Sequence, residues 1–245
     1  IDQLPKIFDK GDELIILKLI EYLNYPEKEA RRAAVDAIEL LFGGKIELIS
    51  KHITDSNLII WSNIMELLAR LDSKENYNYM NSTLLVQIRV IYENLISIKE
   101  LKKIPFTDAV EPLINKLQSN NRLIINTAFR ILSIKRGKDL IDTITKQLYN
   151  PDKNVKMNAI EALETAYDQN IVKTIIPLFE YDNNDDIIEA GKKLWKLDAV
   201  KYQKILIDLL YDSDSWISAC SAYIIGELSQ DSFEKPLKKF AAEIE

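Results

Sequence analysis

The segment NPDKNVKMNAIEAL, starting at Asn150, does not stand alone in this chain. It has a turn residue, then Pro-Asp, an apolar residue five positions after the start, a small one at nine and an aliphatic one at thirteen. YPEKEARRAAVDAI from Tyr25 and DSDSWISACSAYIIGEL from Asp212 fit the same frame. Sliding the frame along the sequence gives seven starts, at Tyr25, Asp55, Ser82, Ser119, Asn150, Tyr181 and Asp212, spaced 27 to 37 residues apart. The ninth column is then Ala34, Ile64, Ile91, Ala128, Ala159, Ala190 and Ser221, and the thirteenth is Ile38, Leu68, Leu95, Leu132, Leu163, Leu194 and Ile225. A repeat of this length is the sequence signature of a stacked architecture. The unit from Ser82 is the weakest, because its fifth position is Gln87.

Before most of the turns lies a second apolar stretch: ELIILKLIEYL, KIELISKHI, AVEPLINKL, DLIDTITKQL, NIVKTIIPLF and KYQKILIDLL. Apolar residues three and four apart mark amphipathic helices. Each unit therefore reads as helix A, a turn and helix B. Pro26, Pro151 or Asp, Asn and Ser at the turns start helices by fixing φ or capping free N–H groups. One such pair cannot bury its apolar face by itself, but stacked pairs share a continuous core. The expected fold is all-α, a solenoid of about seven two-helix repeats with an irregular third, in one domain covering residues 1–245. The small ninth column lets helix B approach its neighbours, and the aliphatic thirteenth column fills the core.

Composition agrees. Six Gly and seven Pro in 245 residues are too few for the turns of a β-sandwich or an α/β fold. The 47% hydrophobic and 29% charged fractions suit a folded soluble chain. The net charge of −6 argues against nucleic acid as the default partner, since phosphate binding rests on Lys and Arg. The one cysteine excludes an internal disulfide and suits a cytoplasmic location. No apolar run is long enough to span a bilayer; LIILKLI is interrupted at Lys18. The chain begins at Ile1, and EKPLKKFAAEIE reads as the start of another helix, which together suggest a piece of a longer protein.

NPDKNVKMNAIEAL and DSDSWISACSAYIIGEL, the latter with Gly226, resemble the HEAT-repeat family, whose motif runs Asp-Pro-Asp, Val-Arg, Ala-Ala and Ala-Leu-Gly. The resemblance covers roughly residues 12 to 230 and implies a right-handed α-α superhelix of HEAT or armadillo kind. HEAT repeats often carry Arg at the sixth position. Here that column is Arg31, Trp61, Ile88, Ile125, Lys156, Ile187 and Ser218, so no Asp–Arg ladder is expected along the whole stack. MNAIEALETAYDQNIVKTIIPLFE and SDSWISACSAYIIGEL also resemble HEAT linker segments that join ATP/ADP-carrier-like membrane modules to cyclic-nucleotide-binding domains in bacterial fusion proteins. That resemblance implies the soluble, cytoplasmic portion of a membrane protein.

Between Leu71 and Thr107 the frame loosens. DSKENYNYMNS offers no clear helix A and reads as a polar surface loop carrying Tyr77 and Tyr79, followed by a long helix ending at Pro105. Insertions in repeat proteins often bind, so Tyr77 and Tyr79 are candidate anchors beside the reading of an eroded repeat. No residues assemble a catalytic set. Cys220 and His52 are separated by five repeats, on the order of 40 Å at ~8–10 Å per helix layer. Cys220 occupies an alanine-like site, and His52 closes a helix A, where a cation suits the helix C-terminus. One His and one Cys cannot supply a usual zinc set, and YDNNDD (181–186) lacks the Gly and Glu of a calcium loop and reads as a turn. Gly43-Gly44 separates two helices. No cofactor is expected.

The eleventh column projects away from the apolar stripe: Asp36, Glu66, Glu93, Arg130, Glu161, Lys192 and Tyr223. In a HEAT stack it faces the concave side. It reads either as a solvated face or as a groove for a basic or amphipathic protein segment. Arg130, Lys192, Lys193 and Lys196 form a modest basic cluster, offset by Glu161, Glu164 and Glu189. Trp61 is either an exposed anchor or packs between repeats, and Trp216 and Tyr223 break the patterns of their columns. The leading expectation is a non-enzymatic scaffold or linker that binds a protein segment or positions flanking domains. A HEAT-like DNA glycosylase acting on damaged bases is the alternative, opposed by the acidic residues of the row, and a phycobilin-lyase-like protein ranks last.

Overall fold

A computed structural model describes residues 13–42, 57–71, 74–105, 108–166, 168–229 and 231–244. Among these the regular structure is entirely helical, as the repeat predicted. The helices are α1 (Glu13–Tyr22), α2 (Lys28–Phe42), α3 (Leu58–Arg70), α4 (Lys74–Leu101), α5 (Val110–Arg136), α6 (Lys138–Leu148) and α7 (Lys153–Ala166). They continue with α8 (Gln169–Ile175), α9 (Pro177–Glu180), α10 (Asn184–Trp195), α11 (Tyr202–Leu210), α12 (Ser215–Leu228) and α13 (Asp231–Ile244).

The turns that exist are made by Asx side chains. Asn57 Oδ1 accepts the N–H groups of Ile59 and Ile60 ahead of α3, Asp152 that of Asn154 ahead of α7, Asn183 that of Asp186 at α10, and Asp214 that of Trp216 at α12. Each satisfies N–H groups that the first helical turn cannot. Two of the seven expected turns are absent. Ser82 lies inside α4 and Ser119 inside α5, and both helices run on without a break. The polar residues there do not cap. The Ser82 hydroxyl donates to Tyr79 O at 2.8 Å and that of Thr83 to the same carbonyl at 3.0 Å, bonding back along the helix.

As far as it is described, from Lys74 on, DSKENYNYMNS is correspondingly no loop. From Lys74 onward it belongs to α4, with Asn76, Met80, Leu84 and Ile88 buried four residues apart. Helix A of the sixth unit, conversely, breaks at Pro177, whose missing N–H ends α8 at Ile175.

The helices pack in two compact units, Ile1–Gln87 with Leu123–Glu180, and Ile88–Arg122 with Tyr181–Glu245. In the first, α1 packs on α2, α2 on α3, α6 on α7, and α7 on α8 and α9. Buried Ser62 of α3 and Thr127 of α5 share a 2.6 Å hydrogen bond. Phe179 gathers the rings of Phe129 and Tyr149, at 5.8 and 5.4 Å between centroids. The core of the second unit joins Ile98, Leu101, Leu113 and Leu117 to Leu206, Leu210, Ile224 and Phe233. These contacts skip residues 123–180, whereas a simple stack pairs each repeat with its neighbours in the chain.

Most of the repeat columns lie in the core. Ala34, Ile64, Ile91, Ala128, Ala159 and Ser221 of the ninth are buried, as are Ile38, Leu68, Leu132, Leu163 and Ile225 of the thirteenth. The sixth unit departs. Leu194 is 43% exposed, and the buried residues of α10 are Ile187, Ile188 and Gly191. The frame there starts at Asp182, one residue later than the sequence suggested, so that Ile187, Gly191 and Trp195 hold the fifth, ninth and thirteenth positions. Gly191 then takes the small-residue column, directly beneath Tyr92: a Cβ on it would lie 2.2 Å from Tyr92 Cδ1.

A buried polar pair fixes α4 against α5 in the second unit. Asn94 Nδ2 donates to Asn121 Oδ1 at 2.7 Å, and both residues are buried. A buried amide pair specifies register at a cost in stability. Asn94→Leu alone is expected to lose about 1–3 kcal/mol, because Asn121 is left without its partner. Asn94→Leu/Asn121→Leu is expected to recover most of that loss. Urea unfolding of the two single variants and the double variant measures both.

Candidate functional site

The eleventh-column residues of the first unit are drawn into an ion network. Arg70 of α3 donates to Asp36 of α2 at 2.8 Å and to Glu66 at 2.6 Å, with Glu39 at 3.5 Å. Arg130 of α5 donates to Glu66 at 2.9 Å and to the Ser62 hydroxyl at 2.6 Å. Asp36, Glu66 and Arg130 are therefore brought together, and cation and carboxylate alternate across three helices. This local network lies at positions other than the sixth. Asp36 and Glu66, read as part of a groove for a basic segment, are instead engaged by arginines of the same fold. The carboxylates beside Arg70 favour its charged form, against its partial burial, and the guanidinium is held above its ordinary pKa.

The rest of the column does not join that network. Glu161 is exposed on α7. In the second unit Glu93 is held by Arg89 at 2.8 Å, and Lys192 by Glu189 at 2.8 Å. With the frame of the sixth unit corrected, Lys193 replaces Lys192 in this column. Of the modest basic cluster, Arg130 is thus engaged by Glu66 of α3 and Lys192 by Glu189 of its own helix.

The candidate anchors separate clearly. Trp61 is not one: it is 3% exposed, and its Nε1 is buried without a hydrogen-bond partner. Tyr77 and Tyr79 are half-buried on α4 rather than displayed on a loop. Tyr77 Oη reaches Asp168 Oδ2 at 3.5 Å, and burial raises the Tyr79 phenol above its ordinary pKa. Trp216 and Tyr223 on α12 are different, at 57% and 50% exposed.

The geometry of α12 explains why. Ile217, Cys220, Ser221, Ile224 and Ile225 turn into the core of the second unit, and the Ser221 hydroxyl donates to Leu206 O at 2.6 Å. On the opposite face Trp216, Ala219, Tyr223 and Gly226 are all exposed, and the first charge along the helix is Glu227. Every neighbouring surface helix of this unit carries charge outward. Examples are Glu189 and Lys193 on α10, Lys204 and Asp208 on α11, and Glu234 and Lys238 on α13. Trp216 and Tyr223, two turns apart, are thus turned outward on a helix face that carries no charge until Glu227. The sequence already singled out its two aromatics as breaking their columns, but it could not show that both project from one face.

Cys220 is buried, and burial, reinforced by Asp214, pushes its thiol up, the opposite of an activated nucleophile. His52 and Gly43-Gly44 lie outside the described residues. The YDNNDD turn spends its side chains on structure: Asn183 caps α10, and Asp185 pairs with Lys99 at 2.8 Å. Among the described residues no group of three His, Cys, Asp or Glu side chains could hold a metal ion, and no helix is long and apolar enough to cross a membrane. The chain matches no protein-family model, no curated protein and no solved structure.

Proposed function

We propose that this chain is a non-catalytic helical-repeat scaffold that docks protein through the uncharged face of α12 and so holds flanking or partner modules at a set spacing. The observation that carries the proposal is the exposure of Trp216 and Tyr223 on a face free of charge until Glu227. Large aromatic side chains anchor protein interfaces because they bury much area with little loss of rotamer freedom. The ion network around Arg70 engages Asp36 and Glu66 within the fold, which supports a docking face elsewhere, and Arg130 is held by Glu66 and Ser62.

The test is affinity capture with the wild-type chain and with Trp216→Ala/Tyr223→Ala, followed by titration of each recovered protein, once identified, against the purified chain. The double variant keeps its thermal transition, because both side chains lie mostly in solvent, and its affinity for the identified protein falls at least tenfold, as the loss of two anchors requires. Unchanged affinity of every recovered protein overturns the docking face. Salt-sensitive binding to plain or alkylated duplex DNA would return the glycosylase-like reading to first place.

A further inference from the structure

We draw no further inference here: the strongest candidate, the outward face of α12 that carries Trp216 and Tyr223, is the surface already proposed for docking, and nothing in the structure shows what covers it.

Discussion

Leu68→Ala is expected to lower the free energy of unfolding by about 2–5 kcal/mol, and Leu194→Ala by no more than about 0.5 kcal/mol, although the repeat places both leucines in the same column. Leu68 is fully buried in α3, so truncation removes its transfer free energy and leaves a cavity that packed neighbours fill only in part. Leu194 is 43% exposed, and shortening it leaves no cavity. Urea unfolding of the two variants beside wild type measures the contrast. Equal losses would show that the sixth unit keeps the frame starting at Tyr181, and that the shift to Asp182 is wrong.

Gly191→Ala carries the second large effect and tests the same shift from the other side. In an ordinary helix interior this substitution gains about 1 kcal/mol. Here the sign reverses. The new Cβ would lie 2.2 Å from Tyr92 Cδ1, 2.7 Å from Cγ and 3.0 Å from Cβ. The clash falls near the root of a fully buried side chain, so Tyr92 cannot swing away without dragging α4 with it. Overpacking of this kind costs about 1–3 kcal/mol, and the upper end is expected because the atoms met are Cβ, Cγ and Cδ1 rather than a flexible tip. In a Tyr92→Ala background the same substitution is expected to cost at least about 1 kcal/mol less, a coupling that a double-mutant cycle reads directly. Gly191→Ala at no cost in the wild-type background would remove the close approach of α10 to α4.

How much of this was legible beforehand varies with the kind of signal. The capped turns at Asn57, Asp152, Asn183 and Asp214 are local chemistry: an Asx side chain ahead of an apolar stripe satisfies N–H groups wherever the chain goes next, and the repeat found them. The turns expected at Ser82 and Ser119 rested on residue types that serve either purpose. Ser82 and Thr83 found helix carbonyls, and Asn121 found Asn94, twenty-seven residues away, so polarity that read as a turn became part of a helix interior. Met80, Leu84 and Ile88 already carried the continuous four-residue spacing, but buried Asn76 at the head of the series hid it.

The candidate surface residues divide along the same line. Acidic residues counted along the eleventh column suggested a groove for a basic segment, and counting cannot show that Arg70, outside the column, lies between Asp36 and Glu66. Trp61 and Trp216 both stood in the sequence as candidate aromatic anchors. One is buried in the first unit and the other stands in solvent on α12.

The sequence by itself determined the helical class, most of the core positions and the capped turns, because periodicity and capping act within a few residues. The tertiary structure alone decided which helices run through their expected turns, where the sixth frame begins, and which polar and aromatic side chains are consumed inside the protein. Those outcomes depend on contacts such as Asn94 with Asn121 and Gly191 with Tyr92, between residues far apart in the chain, and no local pattern encodes which of two distant surfaces will meet.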